Sequence, residues 1–276
     1  MGRGKAEKPS SKNRTKIIST KRNSNSKVIT KKPKQKKNEK KDKTKEGLEN
    51  SPTYEDVSVS PSASQQLSFF LNEFESANGV TLSSLERESI TDKCFLELGQ
   101  DVKGLGSRLK VAFGPSWKEV LCEGQIVEGK IDAGNPAVLI VSSSALRSLE
   151  LMRGVRLLTR ECSAVKLFSK HMKVEEQIAL LKNRVNFTSG TPSRVKKLID
   201  IEALGLSRLT TVVLDIDPDV KGYTLLTLPQ VRNEFWDLYN NYFHQRLVQG
   251  DLRICLFGLL PKGNESRSKR KRVSAD

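Results

Sequence analysis

The sequence predicts an α/β fold, a single parallel sheet with helices on both faces. Three observations predict it. Ala137 to Ser142 (AVLIVS) is an unbroken apolar run after Gly134-Asn135-Pro136, the pattern of a strand buried on both faces. Comparable short runs recur at Ala164 to Phe168, Val185 to Thr188, Thr211 to Asp215 and Leu252 to Phe257. Helical patterns lie between them, and strands alternating with helices imply parallel pairing.

Taken in order, Gln66 to Phe74 (QLSFFLNEF) is an apolar cluster expected to form a helix at the domain edge. Thr81 to Leu98 reads as a helix capped by Ser83 or Ser84, with Leu85, Ile90, Cys94, Phe95 and Leu98 at helical spacing. The glycines of Gly104 to Gly114 suggest a loop followed by a short strand. Ser144 to Met152 reads as a helix. Val174 to Asn183 reads as another, with Ile178, Leu180 and Leu181 facing inward. A further helix starts at Pro192. Leu228 to Val248 is a long aromatic helix in which Trp236 is expected in the core.

The 276 residues carry a formal charge of +16, unevenly spread. Residues 1–50 hold 18 Lys/Arg against 5 Asp/Glu, residues 261–276 hold 6 against 2, and the middle holds 24 against 25. The lysine- and serine-rich start is too poor in apolar residues to offset chain entropy by burial and reads as disordered. The expected organisation is a basic tail and linker over 1–64, one domain over 65–260 and a basic tail over 261–276. Cys94, Cys122, Cys162 and Cys255 form no CxxC pair and read as free thiols of a reducing compartment. No apolar run is long enough for a membrane span, and the charged start lacks the apolar core of a secretory signal. His171 and His244 show neither metal-ligand nor triad spacing.

A nucleotide-hydrolysing domain of this class needs glycines that wrap phosphate, followed by Lys and Ser/Thr. No such motif is present; Gly104-Leu105-Gly106-Ser107-Arg108 is the nearest glycine cluster. Asp215, Asp217 and Asp219 end a strand where carboxylates can hold magnesium. With no phosphate loop to supply a nucleotide, they read instead as a vestigial or structural acidic turn. No metal and no cofactor are expected. The turn Gly190-Thr191-Pro192-Ser193-Arg194 is more specific. Gly190 permits close backbone approach to a phosphate, and Thr191 can cap a helix begun by Pro192. Arg194, Lys196 and Lys197 add charge beside an anion-favouring helix start.

That turn resembles the TPGR turn of DEAD-box RNA helicases, which touches RNA phosphates. The strand Thr211 to Asp217 resembles the one carrying the DEAD motif, with Ile216, Asp217 and Pro218 following Asp215 and the water-activating glutamate missing. Ala137 to Leu146 (AVLIVSSSAL) is similar to the PTREL strand and turn, and the resemblance implies that Ser143 lies beside RNA. Leu256-Phe257-Gly258 falls where the helicases have Ser-Ala-Thr. After Leu260 the sequence shows a basic tail rather than a second RecA-like domain. The resemblance therefore implies a RecA-like half without motor chemistry. This pattern of loss resembles the CMS-one family of ribosomal small-subunit proteins.

The reading that follows is a non-catalytic RNA- or ribonucleoprotein-binding factor in small-subunit biogenesis. Its expected RNA contacts are Gly190, Thr191, Arg194, Lys196, Lys197 and Ser143, and its vestigial acidic motif is Asp215 with Asp217. Its expected partners are pre-ribosomal RNA and pre-ribosome proteins. Lys31, Lys32, Lys34, Lys36 and Lys37, with Lys269, Arg270, Lys271 and Arg272, form runs of the kind import receptors read, so nuclear and nucleolar location is expected. The alternatives are an atypical nucleotide- or methyl-donor-binding enzyme on a related sheet, and a pure protein scaffold.

Overall fold

The computed structural model describes residues 60–123, 133–159, 163–170 and 172–260, with Cys122 and Glu123 by backbone alone. Both basic tails with their lysine–arginine runs, together with Cys162 and His171, lie outside the described residues.

The helices are α1 (Ala63–Asn78), α2 (Ser84–Ser89), α3 (Leu105–Phe113), α4 (Ala145–Gly154), α5 (Val174–Leu181), α6 (Pro192–Asp200), α7 (Pro229–Leu238) and α8 (His244–Val248). The strands are β1 (Val138–Val141), β2 (Ala164–Leu167), β3 (Phe187–Gly190), β4 (Thr211–Asp215) and β5 (Arg253–Phe257). All pair in parallel in the order β2-β3-β1-β4-β5. Phe95 adds a parallel bridge to Ile254 at the outer edge of β5.

Alternate strand residues feed two cores, as the two-residue period of a strand requires. Leu139, Val141, Val212, Leu214, Ile254 and Leu256 pack with residues of α1, α5, α6 and α7. Val138, Ile140, Val213, Cys255 and Phe257 pack with Leu105 and Leu109 of α3 and Leu151 of α4. The partition follows from the chirality of crossovers. Connections running toward β2 carry α3 and α4; those running back toward β5 carry α5, α6 and α7. Right-handed crossovers put the two sets on opposite faces. The α/β class, the parallel sheet and the two covered faces are those expected from the sequence. Gln66 ties the layers together: its buried amide donates to the carbonyls of Pro61 and Leu96 at 3.1 Å each and accepts from Leu256 N at 2.8 Å.

Four local expectations are corrected. The expected helix Thr81–Leu98 is only α2, then one 3-10 turn at Asp92–Cys94, then extended chain at Phe95. Its first stretch has nothing to bury, and Leu85 stands 78% exposed. The expected loop and strand at Gly104–Gly114 is helix α3, because Leu105 and Leu109 recur at four-residue spacing and are fully buried. Strand β3 runs two residues later than expected. In α5, Leu181 is buried as expected, but Leu180 faces solvent and Gln177 is buried in its place.

Candidate functional site

The carboxyl ends of β1 and β4 meet where the chain reverses direction across the sheet, the usual place for a ligand crevice in such folds. Ser144 accepts from Arg147 N and so starts α4 directly after β1. That start aims Arg147 at the end of β4. Its guanidinium donates from Nε to both Asp215 oxygens at 3.0 and 2.9 Å, and from Nη2 to Asp215 Oδ1 at 2.9 Å. Nη2 also donates to Asp217, and Nη1 reaches Glu150 Oε2 at 2.9 Å. Asp219 is used locally, accepting the N–H groups of Lys221 and Tyr223.

Asp215 is 1% exposed, and burial pushes its carboxyl up to about 6 against the opposing pull of Arg147. Burial also works against the Arg147 charge, but the bonds and charges of Asp215 and Asp217 outweigh it and raise the arginine above its ordinary value. A carboxylate pair at a strand end can hold a divalent cation. Here a guanidinium occupies the oxygens such an ion would need.

Beside this cluster lies the glycine-bearing loop Gly99 to Gly104, between the extended chain at Phe95 and α3. In a phosphate-binding loop the backbone N–H groups point at the anion. Here the N–H groups of Lys103 and Gly104 donate to the Asp101 carboxylate at 3.1 and 3.0 Å. The Arg108 side chain lies over Gly99, where a Cβ would meet its Nη1 at 2.0 Å. A cleft of about 520 Å³ remains between this loop and α4, with Asp217 and Arg147 on its wall.

The Gly190 turn is formed differently from the expectation. Gly190 is the last residue of β3 and is buried; a Cβ there would meet Leu167 O at 2.1 Å. Its glycine serves strand packing against β2. Thr191 sits at the helix-cap position in extended backbone, but its side chain makes no capping hydrogen bond. Arg194 is half-buried and donates from Nη1 to Gln177 Oε1 at 2.8 Å and to Met172 O at 3.4 Å. Lys196 reaches Asp200 at 3.0 Å and Asp237 at 3.5 Å. Lys197 is exposed, and Ser143 lines a second cleft, of about 420 Å³, with Leu146 and Val220. The turn and Asp215 therefore both stand at the carboxyl edge of the sheet, but the turn's arginine faces inward onto α5.

A family model described as "CMS1: U3-containing 90S pre-ribosomal complex subunit" matches residues 15–257. The chain belongs to the CMS1 family. Protein CMSS1 of Homo sapiens is 30% identical over 197 residues, covering 71% of this chain and 65% of that protein. Protein CMSS1 of Xenopus laevis is 32% identical over 189 residues, covering 68% and 65%. This CMS1-family chain thus spans just under two thirds of the length of these relatives. Among solved structures, a DEAD box protein from the hyperthermophile Methanococcus jannaschii matches with a TM-score of 0.34 and 18% identity, over 67% of this chain and 50% of that one.

Sequence reasoning missed the two residues that define this candidate site, Arg147 and Asp101. Arg147 had one legible sign, a basic residue in the first turn of the helix after β1, facing a strand that ends in acids. Asp101 had none, because the loop containing it was read without its preceding extended segment.

Proposed function

We propose that this CMS1-family chain is a non-catalytic RNA- or ribonucleoprotein-binding subunit of the small-subunit pre-ribosome, acting in the nucleolus. One observation carries the non-catalytic part. Both halves of a nucleotide site are already filled by the protein's own charges, Arg147 on the carboxylates and Asp101 on the loop amides. A Mg²⁺-nucleotide would have to displace a buried ion pair and a capped loop together. The family description supports the assembly role, and the charge of the two tails supports attraction to RNA phosphates. In this reading residues 65–260 are the positioning domain, residues 1–64 and 261–276 supply sequence-independent affinity, and the basic runs engage import receptors. Lys197 is the exposed member of the expected RNA set, and Thr191 and Ser143 are half-buried.

Crosslinking in cells, followed by sequencing of the bound RNA, tests the role. Small-subunit pre-ribosomal RNA is the expected yield. Recovery of protein crosslinks alone would replace this reading with the scaffold. For catalysis, ATP with magnesium should leave the melting temperature unchanged and give no turnover with or without RNA. RNA-stimulated turnover abolished by Asp215→Asn would overturn the non-catalytic reading.

A further inference from the structure

The opposite edge of the sheet, where the strands begin, carries a set of arginines that form no ion pair among the described residues. Val138 of β1 is in register with Phe187 of β3 and with Thr211 of β4. Three residues before each in sequence stand Asn135, Arg184 and Arg208, so the two arginines stand just ahead of the strands on either side of β1. Arg208 is held in place: Nη1 donates to Asn135 O at 3.1 Å, and Asn135 Oδ1 accepts from Ser207 N at 3.1 Å and Ser207 Oγ at 2.9 Å. Arg246 joins them from α8, with Nη2 donating to Leu209 O at 3.0 Å.

All three are half-buried, and each has one nitrogen that is shielded from solvent and without a partner: Nε of Arg184, Nη2 of Arg208 and Nε of Arg246. Among the described residues no carboxylate forms an ion pair with any of them, while Arg87 and Arg147 do have such partners. The middle of the chain has 25 acidic residues for 24 basic ones, so the missing pairing is not a shortage of acids. Burial and then the nearby Arg184 charge hold the Arg208 guanidinium below its ordinary value. Arg208 and Arg246 each give one N–H to a backbone carbonyl just before a strand. With Arg184 they make a cationic set that forms no ion pair among the described residues, and the guanidinium N–H groups that remain open to solvent in such a set can meet phosphate oxygens.

We propose that Arg184, Arg208 and Arg246 form a phosphate-binding site for the RNA backbone, on the edge of the sheet opposite the helicase-like turn. The identity of the phosphate rests on the RNA-binding reading above; the anion site itself does not. Phosphate contacts here would fix the orientation of the domain on RNA without reading its sequence.

The test uses the full chain and the double variant Arg184→Gln/Arg208→Gln. Fluorescence anisotropy with a labelled RNA hairpin across a salt series should show affinity lower by about tenfold or more, since charge-assisted contacts are lost. The log–log salt slope should flatten by about 0.7–0.9 for each phosphate contact removed. The melting temperature should stay level or rise, because two mutually repelling, incompletely bonded charges are gone. A variant with wild-type affinity and slope would overturn the proposal. If the wild-type chain binds no RNA, the RNA reading fails, and inorganic phosphate decides the site: phosphate should raise the melting temperature of the wild type above that in chloride of equal ionic strength, and not that of the variant. No such difference would overturn the anion site as well.

Discussion

Arg147 decides what the carboxyl edge of this sheet can do. It closes a buried carboxylate with a three-bond fork and leaves part of its own surface in water. Removing it strands Asp215 without a counter-ion, a change that costs about 3–5 kcal/mol for buried pairs. Arg147→Met should therefore lose about that much unfolding free energy at neutral pH, read as a lower denaturant midpoint. The pH dependence has a definite direction. Asp215 is pushed up to about 6 from an ordinary 3.8, so the native state holds a proton that the unfolded chain has released between those values. The stability linked to that proton is complete below about pH 4 and is lost as pH rises through about 6. In Arg147→Met the carboxyl loses the opposing pull, so its loss extends to higher pH. The stability gap between wild type and variant should be small near pH 4 and largest near neutrality, which denaturation at stepped pH values measures. Arg194 makes a second case at this scale. Its position in the first turn of a helix suggested a solvent-facing phosphate contact, but it bonds Gln177 and Met172 O. Arg194→Ala should cost about 1–3 kcal/mol, because the buried Gln177 carbonyl loses a charged donor. Lys197→Ala should stay within about 0.5 kcal/mol. Urea denaturation of the two variants checks both, and equal stability would return Arg194 to the surface. Lys197 is thus the cleaner probe of RNA contact at this turn.

The helices and strands were legible where burial and periodicity agreed. Strand β4 matches its expected bounds at Thr211 and Asp215 because all five residues are buried and a loop precedes it. Strand β3 was displaced because Ser189 and Gly190 carry turn chemistry in sequence, whereas here Gly190 continues the ladder to let Leu167 approach. Helix α3 was hidden by its two flanking glycines. The helix expected over Thr81–Leu98 is shorter in the structure because apolar spacing alone does not distinguish a helix from an exposed turn followed by extended chain. The long helix expected over Leu228–Val248 is present as α7 and α8, joined by a π segment at Tyr239–Phe243. Its aromatic content is explained by α1. Phe70 is fully buried with ring centroids 5.7 Å from Phe95, 5.2 Å from Trp236 and 5.2 Å from Tyr239. Phe70→Ala empties the centre of that cluster and should cost about 3–5 kcal/mol, read as a loss of chemical stability. A loss under about 1 kcal/mol would mean that α1 is not part of the cooperative unit. His244 stacks on Phe74 and bonds Tyr239, and burial holds its pKa below the ordinary value.

At the scale of the molecule, charge is divided between parts that do different physical work. The middle of the chain is nearly neutral, so its cations matter by placement: Arg147 inward on acids, and Arg184, Arg208 and Arg246 at the far edge with no ion pair among the described residues. Residues 1–50 carry 18 basic and 5 acidic residues, so they matter by number. Number and placement leave different traces in binding. Each phosphate neutralised contributes a log–log salt slope of about −0.7 on single strands and −0.9 on duplexes. A segment of such charge can contact many phosphates but cannot choose among folded RNAs. Deleting residues 1–59 should therefore lower RNA affinity at low salt and flatten the slope by several units. The difference in affinity between a preferred and a scrambled RNA should stay the same. The cooperative melting transition should also stay in place, since helix α1 with its Ser62 capping box remains. The measurement is a salt series on full-length and truncated protein with both RNAs, alongside a melting curve. If truncation removes the preference between RNAs while the fold survives, selection resides in the basic segment, and the placed arginines of the domain are not what orients it on RNA.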